Sequence, residues 1–218
     1  MKNTINNNSG NVPSKCDLVT VGFGRTDAVM LSFAFRKMFA VRFINICSDL
    51  RNLKDMLTPN TIVVCNGSED FLELDAVFYF AKQKGAAVAA CIFTGAVKDS
   101  SLAIVQKNEV PVIIADLEDE AELNECIKAV NENQRYISKS LKAHKVNVYS
   151  SFKEYFELLT IPERIVCMGI LQGYSHKDIA AMMDLKKSSV DTYCSRVLAK
   201  YELENATQLF KCFAFRNL

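Results

Sequence analysis

With 218 residues, half of them hydrophobic and 23% charged, the chain is long enough for one large or two ordinary domains with buried cores, and its composition excludes a disordered protein. The formal charge of +1 is uneven: residues 1–132 carry 13 basic against 17 acidic side chains and residues 133–218 carry 13 against 8, so an anionic partner suits the later part better. Eight cysteines without a C-x-x-C pair and only two histidines, His144 and His176, argue against a metal site, and the polar start MKNTINNNSGNV with no membrane-length apolar run points to a cytoplasmic protein with no membrane partner.

Residues 1–15 read as a flexible N-terminal arm. Asp17–Gly22 is a short apolar strand ending in glycine, and Thr26–Phe39 has helical spacing. Val41–Cys47 alternates as a strand, Leu50–Leu57 repeats apolar residues at three and four, and Thr61–Cys65 is a strand stopped by Asn66-Gly67. Phe71–Lys84 is a helix ended by Gly85, Ala87–Phe93 a strand, Leu102–Lys107 a weaker helix, Val110–Ala115 a fifth strand, and Glu120–Asn131 an amphipathic helix with acid at its start. This β/α alternation with apolar strands predicts a doubly wound, five-stranded parallel sheet over residues 16–132. Ligands of such sheets bind outside the carboxyl ends of the strands, here Gly22–Gly24, Cys65–Gly67, Thr94-Gly95 and Asp116.

Residues 133–150 carry Arg135, Lys139, Lys142 and Lys145 and no acid, and read as a basic linker. An all-α segment follows over 151–218. Thr160 with Pro162 and Glu163 starts a helix that Gly173 ends. Ser175 with Asp178 starts a second. A third runs from Ser188 to Tyr201, with Val190, Cys194, Val197 and Tyr201 on one face and Asp191, Thr192 and Ser195 on another, and a fourth follows from Asn205. Short helices with a polar-faced third one fit a helix-turn-helix; periodicity alone fits a protein-binding helical bundle equally well.

The segment also resembles the LuxR-type DNA-binding domain. Leu159-Thr160, Glu163-Arg164 and Val166 match its first block; Gly173, Ser175, Lys177, Asp178, Ile179 and Ala180 match the second; Ser189-Val190, Tyr193 and Lys200-Tyr201 follow, and Asn205 precedes the last helix. The resemblance implies a four-helix helix-turn-helix domain whose third helix enters the major groove of double-stranded DNA. Asp191, Thr192 and Ser195 would then face bases. Lys177, Lys186, Lys187, Ser188, Arg196 and Lys200 would approach phosphates, with Ser189 in the same interface, and the last helix would serve dimerisation. Two residues depart from the pattern. Asp191 replaces a usual Lys and Tyr193 a usual His, and an acid at 191 repels phosphate while it can accept from cytosine N4. Residues 151–218 hold 9 basic and 8 acidic side chains, which predicts modest counterion release.

Residues 17–131 resemble a receiver domain in element order and length, and Ile127-Lys128-Ala129-Val130 resembles the close of its last helix. Receiver phosphotransfer needs an acid pair for Mg²⁺, an acceptor Asp, a Thr or Ser, and a Lys. Here Gly22, Phe23 and Gly24 stand at the acid pair, Cys65 or Asn66 at the acceptor, Thr94 is kept, and Asp116 replaces the Lys. The expectation is a degenerate phosphorylation pocket without metal or cofactor. Asp116 and Asp27 as substitute ligands, an anion at Arg25, and a reactive Cys65 are weaker alternatives. The whole reads as a non-enzymatic, phosphorylation-independent transcription regulator acting as a homodimer, the alternative being a co-regulator that heterodimerises with another regulator.

Overall fold

A computed structural model describes residues 16–38, 40–69, 71–143 and 158–214. The arm expected at 1–15, the second half of the expected linker and the start of the C-terminal segment lie outside these residues. The strands are β1 (Cys16–Val21), β2 (Val41–Cys47), β3 (Thr61–Asn66), β4 (Ala87–Ile92), β5 (Val112–Ile114) and β6 (Tyr136–Ile137). All pair in parallel, in the order β2-β1-β3-β4-β5-β6. The reversal of strand order at β1/β3 follows from the right-handed crossovers of a doubly wound sheet.

Between the strands run α1 (Arg25–Met38), α2 (Leu50–Met56), α3 (Phe71–Lys84), α4 (Asp99–Lys107) and α5 (Glu120–Asn131). Alternate residues of each strand feed different layers. Leu18, Ile62, Val64 and Ile92 pack with Leu31 and Phe35 of α1 and Ile127 of α5, whereas Val19, Val21, Val63 and Cys91 pack toward Leu53 of α2 and Phe80 of α3. The cysteines Cys16, Cys47, Cys65, Cys91, Cys126, Cys167 and Cys194 are all buried, as small apolar side chains in these layers.

The sheet has six strands, not the five expected. The first residues of the expected linker add an edge strand: Tyr136 N–H donates to Pro111 O (2.9 Å) and Ser138 N–H to Ile113 O (2.9 Å). An open β5 edge would leave these carbonyls without partners, and local apolar periodicity does not reveal a two-residue strand. A short α6 (Lys139–Ala143) continues from it. The fifth strand is shorter than expected, and α4 starts three residues earlier, with Asp99 in its first turn.

The C-terminal helices are α7 (Ile161–Leu171), α8 (His176–Met183), α9 (Lys187–Lys200) and α10 (Ala206–Ala214). They rest against the α2–α3 layer, and a continuous apolar cluster joins Val77 and Phe80 to Ile165, Ile179, Val190 and Leu209.

Candidate nucleic-acid interface

Local chemistry sets the frame of the C-terminal helices. At the start of α7 the Thr160 N–H and hydroxyl donate to Glu163 at 2.7 and 2.9 Å. At α8 the Asp178 N–H donates to Ser175 Oγ (3.2 Å), and the Ser175 hydroxyl donates back to Asp178 (2.6 Å). Both are the reciprocal caps that the S/T-x-x-D/E spacing predicts. Gly169 permits the close approach of α7 and α8, because a Cβ there would lie 2.7 Å from Ile179 Cγ1. Asp184, with φ +57° and ψ +45°, closes α8 in the left-handed conformation, and the chain turns into α9. The Asn205 side chain accepts from Gln208 N–H (3.0 Å) and starts α10.

On α9, Val190, Cys194 and Val197 point inward and are buried. Lys186, Lys187, Ser188, Thr192, Ser195 and Arg196 are exposed; Ser189 and Asp191 are half-buried. Lys177, at the start of α8, is exposed as well. The base-facing set of the sequence reading therefore lies on the solvent side of α9, with Lys186 and Lys187 at its amino end. In this structure the hydroxyls of Thr192 and Ser195 donate back to Ser188 O (2.9 Å) and Asp191 O (3.0 Å). The Arg196 guanidinium sits 5.9 Å from the Tyr193 ring.

Two charged residues differ from expectation. Asp191 is not an isolated acid. Its Oδ1 lies 2.6 Å from His176 Nδ1, and Lys187 Nζ lies 3.1 Å from its Oδ2. The hydrogen bond from His176 and that from Lys187 hold the Asp191 carboxyl below its usual range. An ionised carboxylate only accepts, so Nδ1 carries the hydrogen. Lys200, expected among the phosphate contacts, is paired within the domain: its ammonium donates to Glu163 (2.7 Å) and to Leu158 O (2.8 Å), tying the end of α9 to the start of α7. Burial raises the Glu163 carboxyl, but bonds from Lys200 and Thr160 outweigh it and leave the group below its ordinary range.

The strand ends form a second site. Gly22, Phe23, Gly24, Cys65 and Asn66 line a cleft of about 420 Å³ together with Asp49, Glu69 and Tyr174, the last from the C-terminal helices. At the end of β3 the Asn66 amide donates to Gly22 O (2.9 Å) and Thr94 Oγ1 (3.0 Å) and accepts from Ser68 N–H (2.9 Å). Cys65 turns into the core at 1% exposure, its thiol donating to Ala90 O (3.6 Å). Phe23 is buried against α1, in one cluster with Ala28, Leu31 and Phe35. At Gly22, with φ +78°, a Cβ would lie 2.6 Å from Glu69 Cγ, so the Glu69 side chain fills the space over that glycine. Asp116 is exposed and accepts from Glu118 N–H (2.8 Å), a turn-forming role. Among the described residues no group of three or more His, Cys, Asp or Glu is placed to hold a metal ion, and no helix is long and apolar enough to cross a membrane.

Sequence reasoning missed the contacts between the two parts. The Arg164 guanidinium Nε lies 2.9 Å from Asp75 Oδ2 on α3, with both residues buried. Lys54 of α2 meets Asp184 at 2.8 Å, Gln172 bonds Glu73, and Arg51 stacks 5.2 Å over Tyr174. Arg164 was visible in the Glu163-Arg164 pair, but nothing in the sequence marks Asp75 as its partner across 89 positions.

Residues 157–213 match the family described as "Bacterial regulatory proteins, luxR family". The C-terminal domain is a luxR-family domain. A response regulator protein VraR of Staphylococcus saprophyticus is 22% identical over 121 residues, 56% of this chain and 58% of that protein. An uncharacterized transcriptional regulatory protein YhcZ of Bacillus subtilis is 37% identical over 65 residues, 30% of each chain. The chain thus aligns with about half or less of the length of these relatives. Among solved structures, one of the Salmonella typhimurium RcsB response regulator has a TM-score of 0.50 at 13% identity, covering 94% of this chain and 99% of that one. That likeness concerns the fold: a receiver-like α/β domain followed by a luxR-family helical domain.

Proposed function

We propose that the protein is a sequence-reading, DNA-binding transcription regulator that acts as a dimer without aspartyl phosphorylation. The observation that carries this reading is the solvent face of α9, where Thr192, Ser195 and Arg196 follow Lys186 and Lys187 at the helix start, on a helix-turn-helix frame of the luxR family. Lys177, Lys186, Lys187, Ser188 and Arg196 position the phosphate backbone. Thr192 and Ser195, with Ser189 beside them, read base edges once their hydroxyls rotate outward. Asp191 acts differently from a bare acid. His176 and Lys187 offset its charge, which lowers its repulsion of phosphate and leaves it less available to cytosine.

Independence from phosphorylation is supported by the strand-end site. A carboxamide sits at the acceptor position, two glycines and a buried phenylalanine replace the metal-binding acids, and Asp116 stands where a Lys would meet the phosphate. On this reading the chain is a non-enzymatic regulator needing no cofactor, with a receiver-like domain that runs from β1 through the edge strand β6 at Tyr136–Ile137 and a DNA-binding domain after it.

The deciding experiment is a salt titration of DNA binding with Lys186→Ala/Lys187→Ala. Weaker binding to every sequence with a flatter log–log salt dependence is expected. An unchanged slope would remove these lysines from the interface. A co-regulator that heterodimerises is the second reading, favoured by one observation: α2 already contacts the helix-turn-helix, with Lys54 2.8 Å from Asp184 at the turn before α9.

A further inference from the structure

One ion-pair corner joins the two helices that a helix-turn-helix sets against DNA. His176 is the first residue of α8, and its Nδ1 meets the Asp191 carboxylate of α9 at 2.6 Å. Lys187, one turn before Asp191, reaches the same carboxylate at 3.1 Å. The His176 side chain is 34% exposed, so part of the ring is open to solvent. Lys177 follows His176 in the chain and Lys186 precedes Lys187, both exposed. The corner therefore lies within the surface assigned above to phosphate contact.

The imidazole proton sets the charge of this corner. Lys187 and Asp191 cancel, so a neutral ring leaves the trio uncharged and a protonated ring makes it cationic. The ring's own chemistry agrees. Asp191 only accepts, so Nδ1 carries a hydrogen in either form. In the neutral ring Nε2 is then a bare acceptor, which a phosphate oxygen repels; in the protonated ring it is a charged donor. Of the other charges around α8, Asp178 is bound by Ser175, Arg51 of α2 pairs with Asp49, and Lys54 of α2 pairs with Asp184 at the opposite end of α8. On α7, Glu163 pairs with Lys200 and Arg164 with Asp75. Two influences oppose each other at the ring: the amino end of α8 disfavours a positive charge there, and Asp191 favours it. A phosphate brought to the corner adds a second anion and tips the ring toward its protonated form.

We propose that His176 is a phosphate-contact residue of the DNA interface and engages in its protonated form, so that DNA binding takes up a proton. This rests on the DNA-binding reading above and adds to it a contact from α8. The contact is to the backbone, so its effect is expected on every sequence.

The test is binding of the full chain to a labelled duplex of mixed sequence, at one salt concentration, from about pH 6 to about pH 8, where imidazoles change charge. The wild type is expected to bind about tenfold more tightly at the lower end, within the one-proton ceiling of about tenfold per pH unit. His176→Gln keeps an amide that can donate to Asp191 but takes up no proton. It is expected to bind equally at both ends, with the affinity of the wild type at the higher pH. His144→Gln, which changes the chain's other histidine, is expected to keep the wild-type profile. A role confined to tying α8 to α9 would lower affinity and leave the profile unmoved. A wild-type affinity that ignores pH, or a His176→Gln profile that still follows the wild type, overturns the proposal while DNA binding stands. Absence of duplex binding at every pH overturns both. If His176→Gln fails to fold, the imidazole nitrogen resonances of the wild type decide: at about pH 7, DNA is expected to move those of His176 to imidazolium positions, and unmoved resonances overturn the proposal.

Discussion

Replacing Arg164 by Met isolates the ion pair that joins the two parts of the molecule. At 2.9 Å and an effective dielectric constant near 20, the pair attracts by about 6 kcal/mol before desolvation is counted. Desolvation opposes it by several kcal/mol for each ion. Neither Asp75 Oδ2 nor Arg164 Nε makes a well-aligned hydrogen bond, so between these two atoms charge attraction is what offsets that cost. Burial raises the Asp75 carboxyl despite the nearby Arg164 and Lys107. Arg164→Met then leaves a buried acid without its counter-charge, at a cost of about 3–5 kcal/mol. The double change Asp75→Asn/Arg164→Met removes both charges and should return to within about 1 kcal/mol of the wild type, a coupling of at least about 2 kcal/mol. Urea unfolding measures these energies, and small-angle scattering shows whether the cost appears as separation of the helical domain from α3. A single mutant within about 1 kcal/mol of wild type, with an unchanged radius of gyration, would refute the reasoning.

Gly169→Ala gains about 1 kcal/mol of helix propensity but drives a methyl to 2.7 Å from Ile179; a net loss of roughly 1 kcal/mol is expected, recovered by adding Ile179→Val, as read by urea midpoints. Glu163 has a depressed folded-state pKa, so its contribution is present above the usual 4.5 and is lost as pH falls through the lower folded value. Melting temperature should therefore drop below about pH 4.5 in the wild type, and Lys200→Met should flatten that acid slope while lowering stability at pH 7; equal slopes would contradict the pairing. Asp191→Asn removes the acid beside Lys187 and should tighten binding to all sequences; unchanged affinity would show that Asp191 does not face the phosphate backbone. Asn66→Asp alone should not make the protein accept a phosphoryl group from acetyl phosphate, because Gly22, Phe23 and Gly24 still supply no metal-binding acids; a mass increase on incubation with Mg²⁺ would contradict the reading of the pocket.

Most of the fold was legible because apolar runs and helical spacing are local signals. The Thr160/Glu163 and Ser175/Asp178 caps could be read from residues three apart, and they form as read. Helix α9 begins one residue before its expected start. Strand β6 was not legible, since Tyr136 and Ile137 owe their conformation to hydrogen bonds with Pro111 and Ile113 and not to their own pattern. The solvent face of α9 followed from the spacing of Val190, Cys194 and Val197, but the partners of its charges did not. His176 reaches Asp191 across a turn, and Lys200 reaches Glu163 from the other end of the domain. The choice between Cys65 and Asn66 at the strand end depended on side-chain direction, which a one-residue slip reverses. Asn66 is the one that meets Thr94.

The most direct test of the central claim is to titrate the purified protein against a random pool of labelled duplexes at two salt concentrations and to sequence what is bound. The account predicts recovery of an inverted repeat with half-sites about one helical turn apart, with affinity falling as salt rises. Absence of any enriched sequence at the lower salt would contradict it.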